Sequence, residues 1–262
     1  MSLFGASFSL LALTPLLIPP SYIALVYLAE RRWGQSVSGR LAAMPVQTTT
    51  VILLITLTVG LGAAGSVASG AILGAISLSA FSALYGLASL RTSWRGSITL
   101  ALLAFFSSAF LVVVVHGPPV DDFFGALVSN GVAIGVLRRI ETPSATAVRS
   151  EIGLFQRMAL TTALVVMVAV SVPYLGPIAA GTLGVFPVIS TPMAVLNHRD
   201  SGPGAARRYL EALEWGMFGT VAFFFVLSEL LGPWGPFVAF AVALPVLVIL
   251  QGIFWFVPRN WG

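Results

Sequence analysis

Residues 97–115 read SITLALLAFFSSAFLVVVV, nineteen positions without a charge. As a helix, such a run spans most or all of the roughly 30 Å hydrocarbon core of a bilayer. Inside lipid each backbone N–H and C=O needs a partner within the chain, so an apolar run of this length forms a helix. The pattern recurs along the chain. Nine apolar segments can be marked, at about 4–29, 41–60, 66–90, 97–115, 123–137, 156–173, 177–197, 206–228 and 236–256. Of the 262 residues, 58% are hydrophobic and 8% are charged, whereas a soluble domain carries about 25% charged residues. The expected fold class is therefore an all-α polytopic membrane protein. The opening MSLFGASFSLLALTPLLIPP has no basic start, so a cleaved signal is not expected.

The fifth segment, FFGALVSNGVAIGVL, is short: about 23 Å as a helix against roughly 30 Å of hydrocarbon. The basic residues argue that it crosses. All 13 are arginines and no lysine occurs. Arg31, Arg32 and Arg40 follow the first segment, and Arg91 and Arg95 follow the third. Arg138, Arg139, Arg149 and Arg157 surround the gap after the fifth, Arg199, Arg207 and Arg208 follow the seventh, and Arg259 follows the ninth. With nine crossings, every arginine falls on one side, the cytoplasmic side by the positive-inside rule. Without the fifth crossing the sorting fails. The expected topology is nine spans with the N-terminus out and the C-terminus in. The isoelectric point near 10.1 then reflects topology, and nucleic acid is excluded as a partner.

A repeat is hidden in the chain. GRLAAMPVQTTTVILL at 39–54 aligns without a gap on GTLGVFPVISTPMAVL at 181–196, an offset of 142. Gly39, Leu41, Pro45, Val46, Thr49 and Leu54 recur as Gly181, Leu183, Pro187, Val188, Thr191 and Leu196. The same offset pairs Gly34 with Gly176, Gly60 with Gly202 and Gly74 with Gly216. One period contains five crossings, an odd number, so the second copy enters the membrane upside down. The loops agree: the neutral LGAAG turn of the first copy corresponds to the charged NHRDSGPGAARR of the second. The expected arrangement is a 4+1+4 inverted repeat, as in many secondary transporters. Residues 1–116 form the first four-helix repeat, 117–142 a linking transmembrane helix, and 143–262 the second, inverted repeat.

The second copy also carries a family resemblance. AAGTLGVFPVISTPMAVLNH, a polar turn and ARRYLEALEWGMFGTVAFFFVL resemble the GlpM family of small bacterial inner-membrane proteins. The matching residues are Ala180, Gly181, Phe186, Pro187, Thr191, Glu211, Ala212 and Leu213, and the likeness covers roughly 156–256. In the first copy Met44-Pro45 stands for Phe-Pro and the acidic helix start is missing. The resemblance implies a duplicated, fused and inverted four-span unit in a bacterial cytoplasmic membrane. It implies no biochemical activity.

Two clusters can carry chemistry: Pro45, Gln47, Thr48, Thr49 and Thr50, and Pro187, Ser190, Thr191 and Pro192. Proline removes a helix hydrogen bond and frees a carbonyl. Freed carbonyls beside hydroxyls can line a site for an ion or polar solute at a helix break. The competing role is plain bending, with each hydroxyl bonded to its own i−4 carbonyl. An inverted repeat is expected to bring the clusters to opposite ends of one pathway, facing each other across the interior, with Thr49 and Thr191 turned inward.

Glu214 lies about 9 Å deeper than Arg208 along its helix, and no cation stands three or four positions away. An intramembrane carboxyl usually faces the bundle interior and marks an ion path, so Glu214 is the candidate proton-coupling residue. Glu211 has Arg207 and Arg208 in helical register and reads as a surface pair. Asn130, in the fifth segment, is a second candidate for the substrate or ion site, with interhelical bonding as its competing role, which is also the role expected of Gln251. The glycine pairs Gly70/Gly74 and Gly131/Gly135 read as close-packing sites. With no cysteine and with His116 and His198 at loop boundaries, no metal site and no cofactor are implied. No catalytic triad, phosphate loop or dinucleotide fingerprint is present, which argues against an enzyme.

The leading reading is a secondary transporter of a small polar solute or ion, with the proton as candidate coupling ion. Its partners are the lipid bilayer, that solute or ion, and a second copy if the protein is a homo-oligomer. The alternatives are a non-transporting membrane partner of an envelope or export pathway, and a channel. A transporter requires a polar cavity near the midplane; a partner protein can have a dry core.

Overall fold

A computed structural model of the chain describes residues 10–139 and 174–255. The sixth apolar segment, at 156–173, and Arg149, Arg157 and Arg259 lie outside the described residues. Among the described residues, helix is the only regular structure. The helices are α1 (Leu10–Trp33), α2 (Gln35–Ala42), α3 (Val46–Thr58), α4 (Leu61–Ser89), α5 (Trp94–Val115), α6 (Pro119–Arg138), α7 (174–184), α8 (Ser190–Ser201) and α9 (Pro203–Trp255). A turn at Gly235, with φ 73°, divides α9 into two arms. Among the described residues, four helices are long and apolar enough to cross a membrane: α4, α5, α6 and α9. They make this a membrane-embedded protein.

The short fifth segment is α6. It starts on Pro119, whose missing N–H costs nothing in the first turn. Asp121 and Asp122 sit in that turn and Arg138 in the last, each at the helix end whose dipole favours its charge.

The second and seventh segments are not continuous helices. The seventh joins α7 to α8 across a break, and the second begins at the end of α2 and continues as α3 across a matching break. The breaks fall at 43–45 and 185–189, on Pro45 and Pro187. A proline cannot donate a helix bond and pushes the preceding residue out of the α region. The two breaks use the same substitute bonds. Met44 N–H donates to the Leu41 carbonyl (2.9 Å) and Val46 N–H to Met44 (2.9 Å). At the offset of 142, Phe186 N–H donates to Leu183 (2.9 Å) and Val188 N–H to Phe186 (2.6 Å). The turns outside the breaks also correspond. Gly34 and Gly176 have φ 84° and 74°, and Gly60 and Gly202 have φ 124° and 81°, a region that only glycine enters freely.

Helix α4 forms the centre of the molecule. Its apolar stretch is 72% buried, against 17% for α5 and 28% for α6. The outer helices turn Phe110, Leu111, Val128, Phe237 and Val248 outward, a surface suited to lipid. Helix α4 and the first arm of α9 pack antiparallel: Gly65 faces Ser228, and fourteen residues along, Ser79 bonds Glu214. Helix α6 packs on both.

Contacts between the two stretches are reciprocal. Gly39 of α2 lies against the backbone of Tyr209 in α9, and Gly181 of α7 against that of Val67 in α4. Gly74 faces Thr182 and Val185; Gly216 faces Arg40 and Ala43. Every member of one contact lies 142 residues from its counterpart in the other. Of the predicted glycine pairs, Gly70 and Gly74 do approach α7 closely, whereas Gly131 and Gly135 face open space.

Candidate functional site

Both helix breaks open into one cavity of about 60 Å³, room for a few water-sized molecules. Its wall consists of residues 42–48 and 184–190, closed by Tyr22, Ile23, Leu78, Met217, Thr220 and Phe224. The two clusters were expected at opposite ends of a pathway. They meet instead, because the reciprocal packing of α2 on α9 and α7 on α4 turns both breaks toward the same point.

The cavity wall carries polar groups but no charged side chain. The hydroxyls of Thr48 and Thr220 donate to the carbonyls of Gly184 (2.7 Å) and Ala43 (2.6 Å). Tyr22 donates to the Leu41 carbonyl. Carbonyls near the breaks are thus partly satisfied by hydroxyls from other helices. The opening N–H groups of α3 and α8, on Gln47, Thr48, Ile189 and Ser190, have no backbone carbonyl partner among the described residues. All four residues line the cavity. Helix starts expose unpaired N–H groups, and here two such starts share one space.

Of the residues marked in the sequence, Pro45, Gln47, Thr48, Pro187 and Ser190 line this cavity. Thr49 and Thr191 are half-buried and stand outside its lining; the Thr191 hydroxyl oxygen is buried without a hydrogen-bond partner. Thr50 follows the competing role and bonds its own i−4 carbonyl, on Val46 (2.9 Å).

Asn130 and Glu214 are brought together elsewhere, in a fully buried cluster one turn from the cavity. Ser79 Oγ lies 2.8 Å from Glu214 Oε2 and 2.7 Å from Asn130 Oδ1. Leu78, adjacent to Ser79, and Met217, one turn beyond Glu214, belong to the cavity wall. The Ser82 hydroxyl is directed at the same carboxyl without reaching hydrogen-bond geometry. Glu214 Oε1, Asn130 Nδ2 and Ser82 Oγ are all buried without a partner. Among the described residues Glu214 forms no ion pair.

Glu211 is not the surface residue expected. It is fully buried and pairs with Arg138 (2.9 Å) and Arg207 (3.3 Å), not with Arg208. Arg207 also donates to the Leu137 carbonyl (3.3 Å), so this network fastens the end of α6 to α9. Helix α6 covers Glu211, and no local pattern in α9 announces that cover. Gln251 donates to the Gly216 carbonyl (2.9 Å), the interhelical bond expected of it.

Sequence reasoning passed over Ser79, Ser82, Tyr22 and Thr220. Ser79 and Ser82 stand three apart on α4 and so share a face; that spacing was the available signal. Neither a protein-family model, nor a curated protein, nor a solved structure matches this chain, so function rests on geometry.

Proposed function

We propose that this protein is a secondary transporter of a small polar solute or ion, working by alternating access between two inverted halves. The observation that carries the reading is the cavity between the Pro45 and Pro187 breaks. Equivalent stretches of the two repeats wall it, and two helix starts present unspent N–H groups to it. Broken helices near the membrane midplane are the usual way to offer backbone groups to a transported species. A volume near 60 Å³ suits an ion or a very small solute.

The nine-span, 4+1+4 inverted arrangement is part of the same proposal. Its support is the matched breaks and glycine turns at the offset of 142, the reciprocal glycine contacts and the antiparallel packing of α4 on α9. Antiparallel packing of equivalent helices requires a two-fold axis perpendicular to them, in the membrane plane. In such a molecule, exchanging the conformations of the two halves converts an outward-open state into an inward-open one. The reading includes a bacterial inner-membrane location and a GlpM-like origin for each half. Glu214, buried one turn from the cavity, is the group that takes up the coupling cation. The polar cavity favours transport over a non-transporting partner with a dry core.

The test is flux in liposomes containing the purified protein, with small ions and polar solutes driven by imposed gradients. Flux above empty liposomes is expected, and Ser190→Leu, which fills the cavity, should remove it. Flux that survives this substitution, or no flux for any small species, overturns the reading.

A further inference from the structure

The hydrogen bonds around Glu214 do not close. Ser79 has one proton, and two acceptor atoms lie within 2.8 Å of its oxygen. Two arrangements resolve this. In the first, a protonated Glu214 donates to Ser79, and Ser79 donates to Asn130. In the second, Asn130 is turned so that its amide donates to Ser79, and Ser79 donates to an ionised Glu214. Amide oxygen and nitrogen exchange places by a simple rotation. The first leaves the Glu214 Oε1, Ser82 Oγ and Asn130 Nδ2 atoms unpartnered, as observed. The second leaves three oxygens unpartnered: Glu214 Oε1, Ser82 Oγ and Asn130 Oδ1.

An ionised carboxylate buried to this degree needs a counter-charge. Arg138 and Arg207 are engaged by Glu211, and neither they nor Arg40, whose backbone lies against Gly216, pairs with Glu214. Three oxygens without partners, one bearing a full negative charge and all from fully buried residues, are the donor set of a hard monovalent cation. Water could accept and donate bonds here but would leave the charge uncompensated. A full carboxylate charge gives such a site a strong field, which favours the smaller Na⁺ over K⁺.

We propose that Glu214, Asn130, Ser79 and Ser82 form a binding site for one Na⁺ ion between α4, α6 and α9. The site extends the transport reading and rests on it only for its purpose: Na⁺ is then the coupling ion, held one turn from the cavity that takes the solute. It also gives α6, the helix between the repeats, a direct part in coupling through Asn130.

The test uses the full-length protein purified without sodium in choline chloride. Thermal unfolding and calorimetric titration are followed as choline is replaced by Na⁺, K⁺ or Li⁺ at constant ionic strength. A saturable rise in Tm with Na⁺, absent with K⁺, is expected, since a ligand that binds only the folded state stabilises it. Glu214→Gln should abolish the rise. Ser82→Ala removes a hydroxyl that has no hydrogen-bond partner, so it should leave the sodium-free Tm unchanged and weaken Na⁺ binding by about tenfold. Equal Tm in sodium and choline, an undiminished response in Glu214→Gln, or full Na⁺ affinity in Ser82→Ala overturns the site. Solute flux that proceeds equally without sodium overturns Na⁺ as the coupling ion, and leaves the transport reading standing.

Discussion

Gly181 rests its Cα on the backbone carbonyl of Val67, so that a β-carbon at 181 would collide with that oxygen. The counterpart contact, Gly39 on the Tyr209 carbonyl, is nearly as close. Backbone cannot yield as a side-chain tip can. Gly181→Ala and Gly39→Ala should each destabilise by about 1–3 kcal/mol, the usual cost of overpacking. Gly131, mid-helix with open space around it, provides the contrast: Gly131→Ala should be neutral or stabilise by about 0.5–1 kcal/mol. Thermal unfolding in one detergent checks all three. Similar losses at 131 and 181 would mean that the reciprocal contacts are not close.

The Glu211 network gives a second expectation. Glu211→Ala strands Arg207, whose side chain is 15% exposed, and should cost about 3–5 kcal/mol. Arg138→Ala should cost about 1 kcal/mol or less, because that side chain is 50% exposed and Arg207 still compensates the carboxylate. Equal losses in the two variants would show that Arg138 carries the network.

Ser79 and Ser82 should separate cleanly. Ser79→Ala leaves Glu214 and Asn130 without their shared partner and should cost about 1–3 kcal/mol. Ser82→Ala should not lower stability in the absence of sodium, because its hydroxyl has no hydrogen-bond partner. Unfolding midpoints in choline chloride decide the matter. A larger loss at Ser82 than at Ser79 would contradict the hydrogen-bond pattern described.

The orientation of the halves can be read with single cysteines, since the chain has none of its own. Gly62 and Arg199 are both exposed. In the inverted arrangement they lie on opposite sides. Gly62→Cys should react with an impermeant maleimide in intact cells, and Arg199→Cys only after permeabilisation. Labelling of both from one side would remove the inverted repeat.

The sequence by itself determined the membrane environment, the helical class, the position of both helix breaks and the offset that relates them. These features are local. Hydropathy over about twenty residues decides the solvent of a helix, a proline breaks the helix that contains it, and the glycines of the two turns recur 142 residues further on. Only the tertiary structure decided that the two breaks share one cavity, that Glu211 is buried beneath α6, and that Glu214 meets Ser79 and Asn130. Those facts rest on bonds between residues 51, 73, 135 and 136 positions apart. They depend on which face each helix turns inward. In a membrane protein that choice is weakly written in the apolar pattern, because lipid and core are equally apolar and small residues, close packing and a few polar groups decide it instead.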